Sequence, residues 1–275
     1  MKKKCFLWIV KDSINKIKEN PKKIVLAGVI DALFFFVYGF VTAPLLRKLV
    51  EYVVLIGTGI SENANAMLRG ETPTIGSIVA NDPHLMQYAQ NLLIIYVIVA
   101  IVIYIVYNFF HSITWKISSD ITGRKIGIYD YMKEFALVNI FWFVAFIIYH
   151  ILSLHADLQE SAFRAMNAVP GNGFRIVITV LLFAIIYFAG ISYALIGTVK
   201  KGKIKKSFEI GLGKVKSVLP AYVLILAVYF VIKYVLEAIG KYDTRVMFVV
   251  GLLTFIPAMT WARVYITSVV ENAHS

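Results

Sequence analysis

Six stretches of this chain are long and apolar enough to cross a hydrocarbon core, and that restricts the fold more than any other feature. Inside a bilayer every backbone N–H and C=O must find its partner within the protein, which leaves helices and closed barrels as the spanning structures. A spanning helix needs about 20 apolar residues in a row. Residues 24–46, 92–115, 135–154, 176–199, 218–239 and 246–270 meet that need. They predict an all-α polytopic membrane protein with a six-span membrane domain over 24–270. An amphipathic interfacial helix over 1–23 precedes it, and a short tail over 271–275 follows. The chain is 59% hydrophobic and 16% charged, whereas soluble domains carry about a quarter of their residues charged.

The net charge of +12 would suggest nucleic acid in a soluble protein. Here the basic residues flank the apolar spans, so membrane orientation and anionic lipid are the partners to expect, and nucleic acid is not. Eight Lys and Arg lie in 1–23, four in 116–134 and seven in 200–217. The opposite connections hold three in 47–91, two in 155–175 and two in 240–245. This asymmetry predicts a cell-membrane protein with both termini cytoplasmic. Residues 5–10 are too short an apolar run for a signal peptide, and the single cysteine, Cys5, excludes an intramolecular disulfide.

Three segments on the basic side show helical spacing of apolar residues. Phe6, Val10, Ile14 and Ile17 line one face of the N-terminal segment, and Asn20-Pro21 ends it. Ile204, Phe208, Leu212 and Val215 do the same before the fifth span, with a weaker version in Ile121, Ile128, Met132 and Phe135. Each precedes a pair of spans, which suggests three helical-hairpin repeats. Lys2, Lys3, Lys4, Lys22, Lys23, Lys201, Lys203, Lys205 and Lys206 are the expected contacts to anionic headgroups. In the 47–91 connection, residues 49–60 either lie in the interface or extend the first span beyond Pro44, and Gly57-Thr58-Gly59 is expected to break them. Asp82-Pro83 reads as a helix cap followed by proline in the first turn. A helix from Pro83 to Trp115 would reach beyond the membrane.

Charged residues within spans are costly and mark candidate sites. Asp31 on the first span and Arg263 on the last fall at similar depth, which predicts an intramembrane ion pair. Asn108, His111, Asn139, Ser192 and Tyr193 fall in the same inner layer, either as a polar pocket or as interhelical bonds. Lys233 and Glu237 are four apart near the outer end of the fifth span. His150, His155 and Asp157 cluster at the outer end of the third, but their spacing does not put all three on one helix face, so no metal site is expected. No phosphate loop, HExxH, GxSxG or paired CxxC is present, and no cofactor is implied.

The amphipathic start closing in Asn20-Pro21-Lys22-Lys23, the Gly-led amphipathic loop before the fifth span and the run Phe255-Ile256-Pro257-Ala258-Met259-Thr260-Trp261-Ala262-Arg263 together carry a resemblance. The chain resembles an uncharacterised group of prokaryotic six-span proteins related to the membrane domain of glycerophosphoryl diester phosphodiesterases. The resemblance implies the helical bundle. It brings no catalytic residue, because the soluble phosphodiesterase domain has no counterpart here. The expectation is therefore a non-enzymatic membrane component that binds lipid, a second copy of itself or another membrane partner. A permease subunit working as a dimer with an ATPase is the alternative. A lipid-modifying enzyme using His111 or Asp31 ranks last.

Overall fold

The computed structural model describes residues 6–67, 79–165 and 173–274, and among them all regular structure is helical. The helices are α1 (Phe6–Glu19), α2 (Pro21–Met67), α3 (Pro83–Ile121), α4 (Ile128–Ala165), α5 (Gly173–Ala194), α6 (Lys203–Gly213), α7 (Val215–Gly240) and α8 (Thr244–His274). Six of them, α2 to α5 with α7 and α8, are long and apolar enough to span a membrane. The chain is an all-α, multi-pass membrane protein. Lys2, Lys3, Lys4 and Cys5 lie outside the described residues, as do Pro170, Gly171 and Asn172 of the 155–175 connection.

Helix starts follow local chemistry. Asp82 caps α3, its carboxylate accepting from the backbone N–H of His84 at 2.8 Å and of Leu85 at 3.3 Å. Asp243 caps α8 in the same way through Arg245 and Val246. Each cap satisfies donors that no earlier turn can reach. Between α1 and α2, the Asn20 side chain donates to the Lys16 carbonyl at 2.9 Å, and Pro21 opens the next helix.

Two expectations need correction. Gly57-Thr58-Gly59 does not break the first long helix, for α2 runs unbroken for 47 residues with Pro44 inside it. That is about 70 Å at 1.5 Å per residue, well beyond the 40–45 Å or so of a whole bilayer. The Thr58 hydroxyl donates to the Val54 carbonyl at 3.0 Å, in keeping with the helix. The middle basic segment also differs: Ile128, Met132 and Phe135 belong to the opening turns of α4, not to a helix of their own. Among the described residues, separate short helices precede only the first and third span pairs.

The chain divides into two compact units, one of Met1–Ala32 with Asn108–Ser275, the other of Leu33–Tyr107. The second is an antiparallel helix pair. Phe34 meets Tyr107 edge-on at 6.4 Å, and Tyr52 lies 6.2 Å from Tyr88. Near the far end Leu85 fills the space above Gly59. Phe35, Phe36 and Phe40 remain exposed, as lipid-facing residues do.

In the first unit the core gathers at one end. Along α8 the side chains 262–270 are all buried, whereas Leu252, Leu253 and Phe255 are exposed. Burial on every face over two and a half turns means that other elements surround this half of α8, and α1, α5, α6 and α7 all contact the helix. Ala27 of α2 and Ile117 and Ile121 of α3 pack with Val264 of α8. The other halves of the helices expose long apolar side chains.

Gly190 on α5 lies against the Tyr222 hydroxyl, which donates to the Tyr187 carbonyl at 2.9 Å. Gly190→Val should therefore overpack this contact and cost about 1–3 kcal/mol, read as a lower melting temperature in detergent. Gly39→Ala, with open space around it, should be neutral or stabilising by up to about 1 kcal/mol through helix propensity.

Candidate functional site

Asp31 and Arg263 meet in the core of the first unit. Arg263 donates from Nη1 to Asp31 Oδ2 at 2.6 Å and from Nη2 to Asp31 Oδ1 at 2.9 Å. The Asp31 side chain is fully buried and that of Arg263 is 7% exposed. Parallel bidentate bonds make the strongest form of such a pair. Arg263 Nη2 also lies 3.3 Å from His111 Nδ1. A guanidinium can only donate, so Nδ1 accepts, and the imidazole is neutral with its proton on Nε2. Asp31 comes from α2, His111 from α3 and Arg263 from the enclosed half of α8. Three spans are thus pinned at one point.

Of the inner polar layer, Asn108, Asn139 and Tyr193 form a chain across α3, α4 and α5. Asn139 Nδ2 donates to Asn108 Oδ1 at 3.3 Å, and the Tyr193 hydroxyl donates to Asn139 Oδ1. Phe135 stacks on the Tyr193 ring at 4.5 Å and Trp115 meets its edge at 5.6 Å. Ser192 stands beside this chain: it accepts from the Trp142 indole N–H at 3.1 Å and donates to the Phe188 carbonyl at 2.8 Å. These groups bond one another across helix boundaries.

The remaining expected residues are dispersed. Lys233 and Glu237 approach to 3.5 Å on the exposed side of α7. Asp157 pairs with Arg175 at 2.7 Å, while His155 packs edge-on against Phe174. Among the described residues no group of three or more His, Cys, Asp or Glu is placed to hold a metal. Lys203, expected to face lipid, is turned inward instead. It lies 3.2 Å from Glu134 and donates to the Lys200 carbonyl at 3.3 Å. Lys206 pairs with Glu209 at 3.0 Å, and that ammonium holds the Glu209 carboxyl below its ordinary range. Lys22, Lys201 and Lys205 are exposed, and Lys23 donates to the Asp120 carbonyl at 3.3 Å.

Sequence reasoning missed a second, partly buried ion pair, between Arg124 and Glu271. Arg124 follows Gly123, whose φ of 95° turns the chain after α3. Its Nε donates to Glu271 at 2.7 Å, and its Nη1 donates to the carbonyls of Ala194 and Ile196 at the end of α5. The available signal was an arginine beside a turn glycine in a loop otherwise supplied with lysine. A planar guanidinium spreads its donors over separate nitrogens and so reaches a carboxylate and two carbonyls in different directions, whereas a lysine gathers its three donors on one atom.

No family model, curated protein or solved structure matches this chain. Fold and site define it as a multi-pass helical membrane protein with a buried Asp–Arg–His cluster.

Asp31→Ala or Arg263→Ala should each cost about 3–5 kcal/mol, because each leaves a buried charge uncompensated. Asp31→Ala and Arg263→Ala combined should cost much less than the two single losses summed. Unfolding of all variants in one detergent measures the coupling, and strict additivity would show that the pair contributes nothing.

Proposed function

We propose that this is a non-enzymatic membrane protein that engages anionic lipid through its two short basic helices, α1 and α6. The observation that supports it most is which face each helix leaves uncovered. α1 docks through Ile9 and Ser13, with Lys16 reaching Ser268 of α8 at 3.5 Å. Its expected apolar stripe is therefore misplaced by part of a turn. Ile14 is exposed, together with Leu7 (73%) and Trp8, beside the exposed Lys11 and Lys18.

α6 behaves alike. Lys203, Ser207, Ile210 and Gly211 face the protein, while Phe208, Leu212 (68%) and Val215 are exposed near Lys205, Lys214 and Lys216. Gly211 admits the Phe188 ring against the helix backbone. Ile9, Ile17 and Ile210 join small or polar residues in the protein contact, while Leu7, Trp8, Ile14 and Leu212 are left outward with lysines. An anionic bilayer surface fits both halves of that pattern, taking the apolar side chains below the headgroups and the ammonium groups among them.

In this reading the lysine-rich face is cytoplasmic, and the buried clusters serve to hold the spans that carry it. Neither cluster joins a nucleophile to a base, which weighs against the enzyme reading.

Adding phosphatidylglycerol to phosphatidylcholine nanodiscs should raise the melting temperature, and the gain should shrink as salt shortens the Debye length from about 10 Å to about 3 Å. Lys11→Gln, Lys18→Gln, Lys205→Gln and Lys214→Gln combined should remove most of it, at about 1 kcal/mol of lipid attraction per lysine. A melting temperature indifferent to phosphatidylglycerol would sink the proposal.

Sidedness has its own check in sealed vesicles of known orientation. Cys5, the single native thiol, should react with an impermeant maleimide only after permeabilisation. In a Cys5→Ser background, Tyr242→Cys should react from outside, since Tyr242 in the α7–α8 turn is 93% exposed. The reverse labelling would invert the orientation.

A further inference from the structure

One face of α7 carries a regular row of exposed side chains. Leu219, Val223, Leu226, Phe230, Lys233 and Glu237 follow one another at steps of four, three, four, three and four residues, and all six are exposed. A mean step of 3.5 residues keeps such a row in line with the same row on a helix packed beside it, which is the geometry of a coiled coil. The opposite face, through Ala221 and Ile225, is buried in the protein.

Exposed apolar residues on a span need no more than lipid. Lys233 and Glu237 need more. Lys233 lies seven residues before Gly240, the last residue of α7, which is about 10 Å along the helix at 1.5 Å per residue. Its side chain is 65% exposed and that of Glu237 is 54% exposed. Charged groups in spans normally face the interior of a bundle or a wet cavity, yet these two point outward in a row of leucine, valine and phenylalanine. They approach each other at 3.5 Å, with the lysine first in sequence, the weaker order for a pair on one helix. An ammonium has three donors and a carboxylate about four acceptor sites, so one such contact leaves most of their bonding capacity turned toward acyl chains.

We propose that this face of α7 packs against the same face of a second copy of the chain, forming a two-fold dimer within the membrane. Both copies insert the same way round, so the two-fold axis runs along the membrane normal. The two α7 helices are then parallel, and equivalent residues meet at equal depth. Lys233 of each copy stands one turn from Glu237 of the other, about 6 Å of rise, within the length of a lysine side chain. The four charges sum to zero and pair in both directions, so the row is complementary to itself, as a patch that meets its own copy must be. The polar positions fix the register of the seam, which apolar side chains surrounded by lipid do not. This contact is independent of lipid binding through α1 and α6.

Cysteine cross-linking of the full-length chain in its membrane reads the face. In a Cys5→Ser background, Val223→Cys, Leu226→Cys and Phe230→Cys should each give a disulfide-linked dimer under mild oxidation. Val231→Cys should not, although Val231 is 63% exposed, because one further residue turns it about 100° from the row. Equal linkage at 230 and 231, or none along the row, would overturn the proposal.

The charges are tested by co-purifying two differently tagged copies from one membrane. Lys233→Glu in both copies should lower their association about tenfold, because like charges then oppose each other across the contact. Glu237→Lys in both should do the same. One copy with Lys233→Glu and the other with Glu237→Lys should associate again, since an acidic row then meets a basic one. The pair within each helix stays broken in that mixture, so recovery reports the contact between copies. Each single variant should keep the phosphatidylglycerol response. A mixture that associates no better than either single variant overturns the dimer.

Discussion

The fold of the larger unit depends on keeping one guanidinium in a place where it has no water. Arg263 sits on the stretch of α8 that is covered on every side. A charge there is tolerable only if its partners are close and well aligned, and Asp31 provides two parallel bonds. That demand fixes the rotation and height of α2 against α8, and the His111 contact adds α3 to the same point. Apolar packing of Ala27, Ile117, Ile121 and Val264 lies next to the cluster. Such packing is non-directional and would tolerate sliding of one helix along another. The ion pair supplies the register that apolar surfaces lack.

A second layer of polar contacts works the same way at the helix ends. Spans α3, α4 and α5 are tied through Asn108, Asn139 and Tyr193, and the Ala194 and Ile196 carbonyls at the end of α5 accept from Arg124. Bonds between helices count in a membrane because apolar side chains gain little by leaving lipid for protein. Buried polar contacts therefore concentrate at one end of the unit, and the opposite ends of α7 and α8 expose apolar side chains, with the Lys233–Glu237 pair on the surface of α7. The short helices α1 and α6 join that polar end. They offer it isoleucine, serine, glycine and lysine, and keep Leu7, Trp8, Ile14 and Leu212 outward.

Amino-acid order alone determined a good deal. Backbone hydrogen bonding in hydrocarbon leaves so few options that six apolar stretches suffice for an all-α, six-span chain. Caps were equally legible, since Asp82 and Asn20-Pro21 act through neighbours a few residues away. An acid on the first span and an arginine on the last were also recognisable as groups needing each other, because an isolated charge in that setting costs so much.

Only the tertiary structure decided which face of a helix meets protein. Periodicity locates an apolar stripe but not its destination, and in a membrane lipid competes with protein for it. For this reason Ile14 and Leu212 lie outward, while Lys203 turns inward to Glu134. Gly57-Thr58-Gly59 misled because packing from a distant segment supports the helix there, Leu85 of α3 lying against Gly59, which local propensity does not show. The Arg124–Glu271 pair joins residues 147 positions apart, beyond the reach of any local pattern.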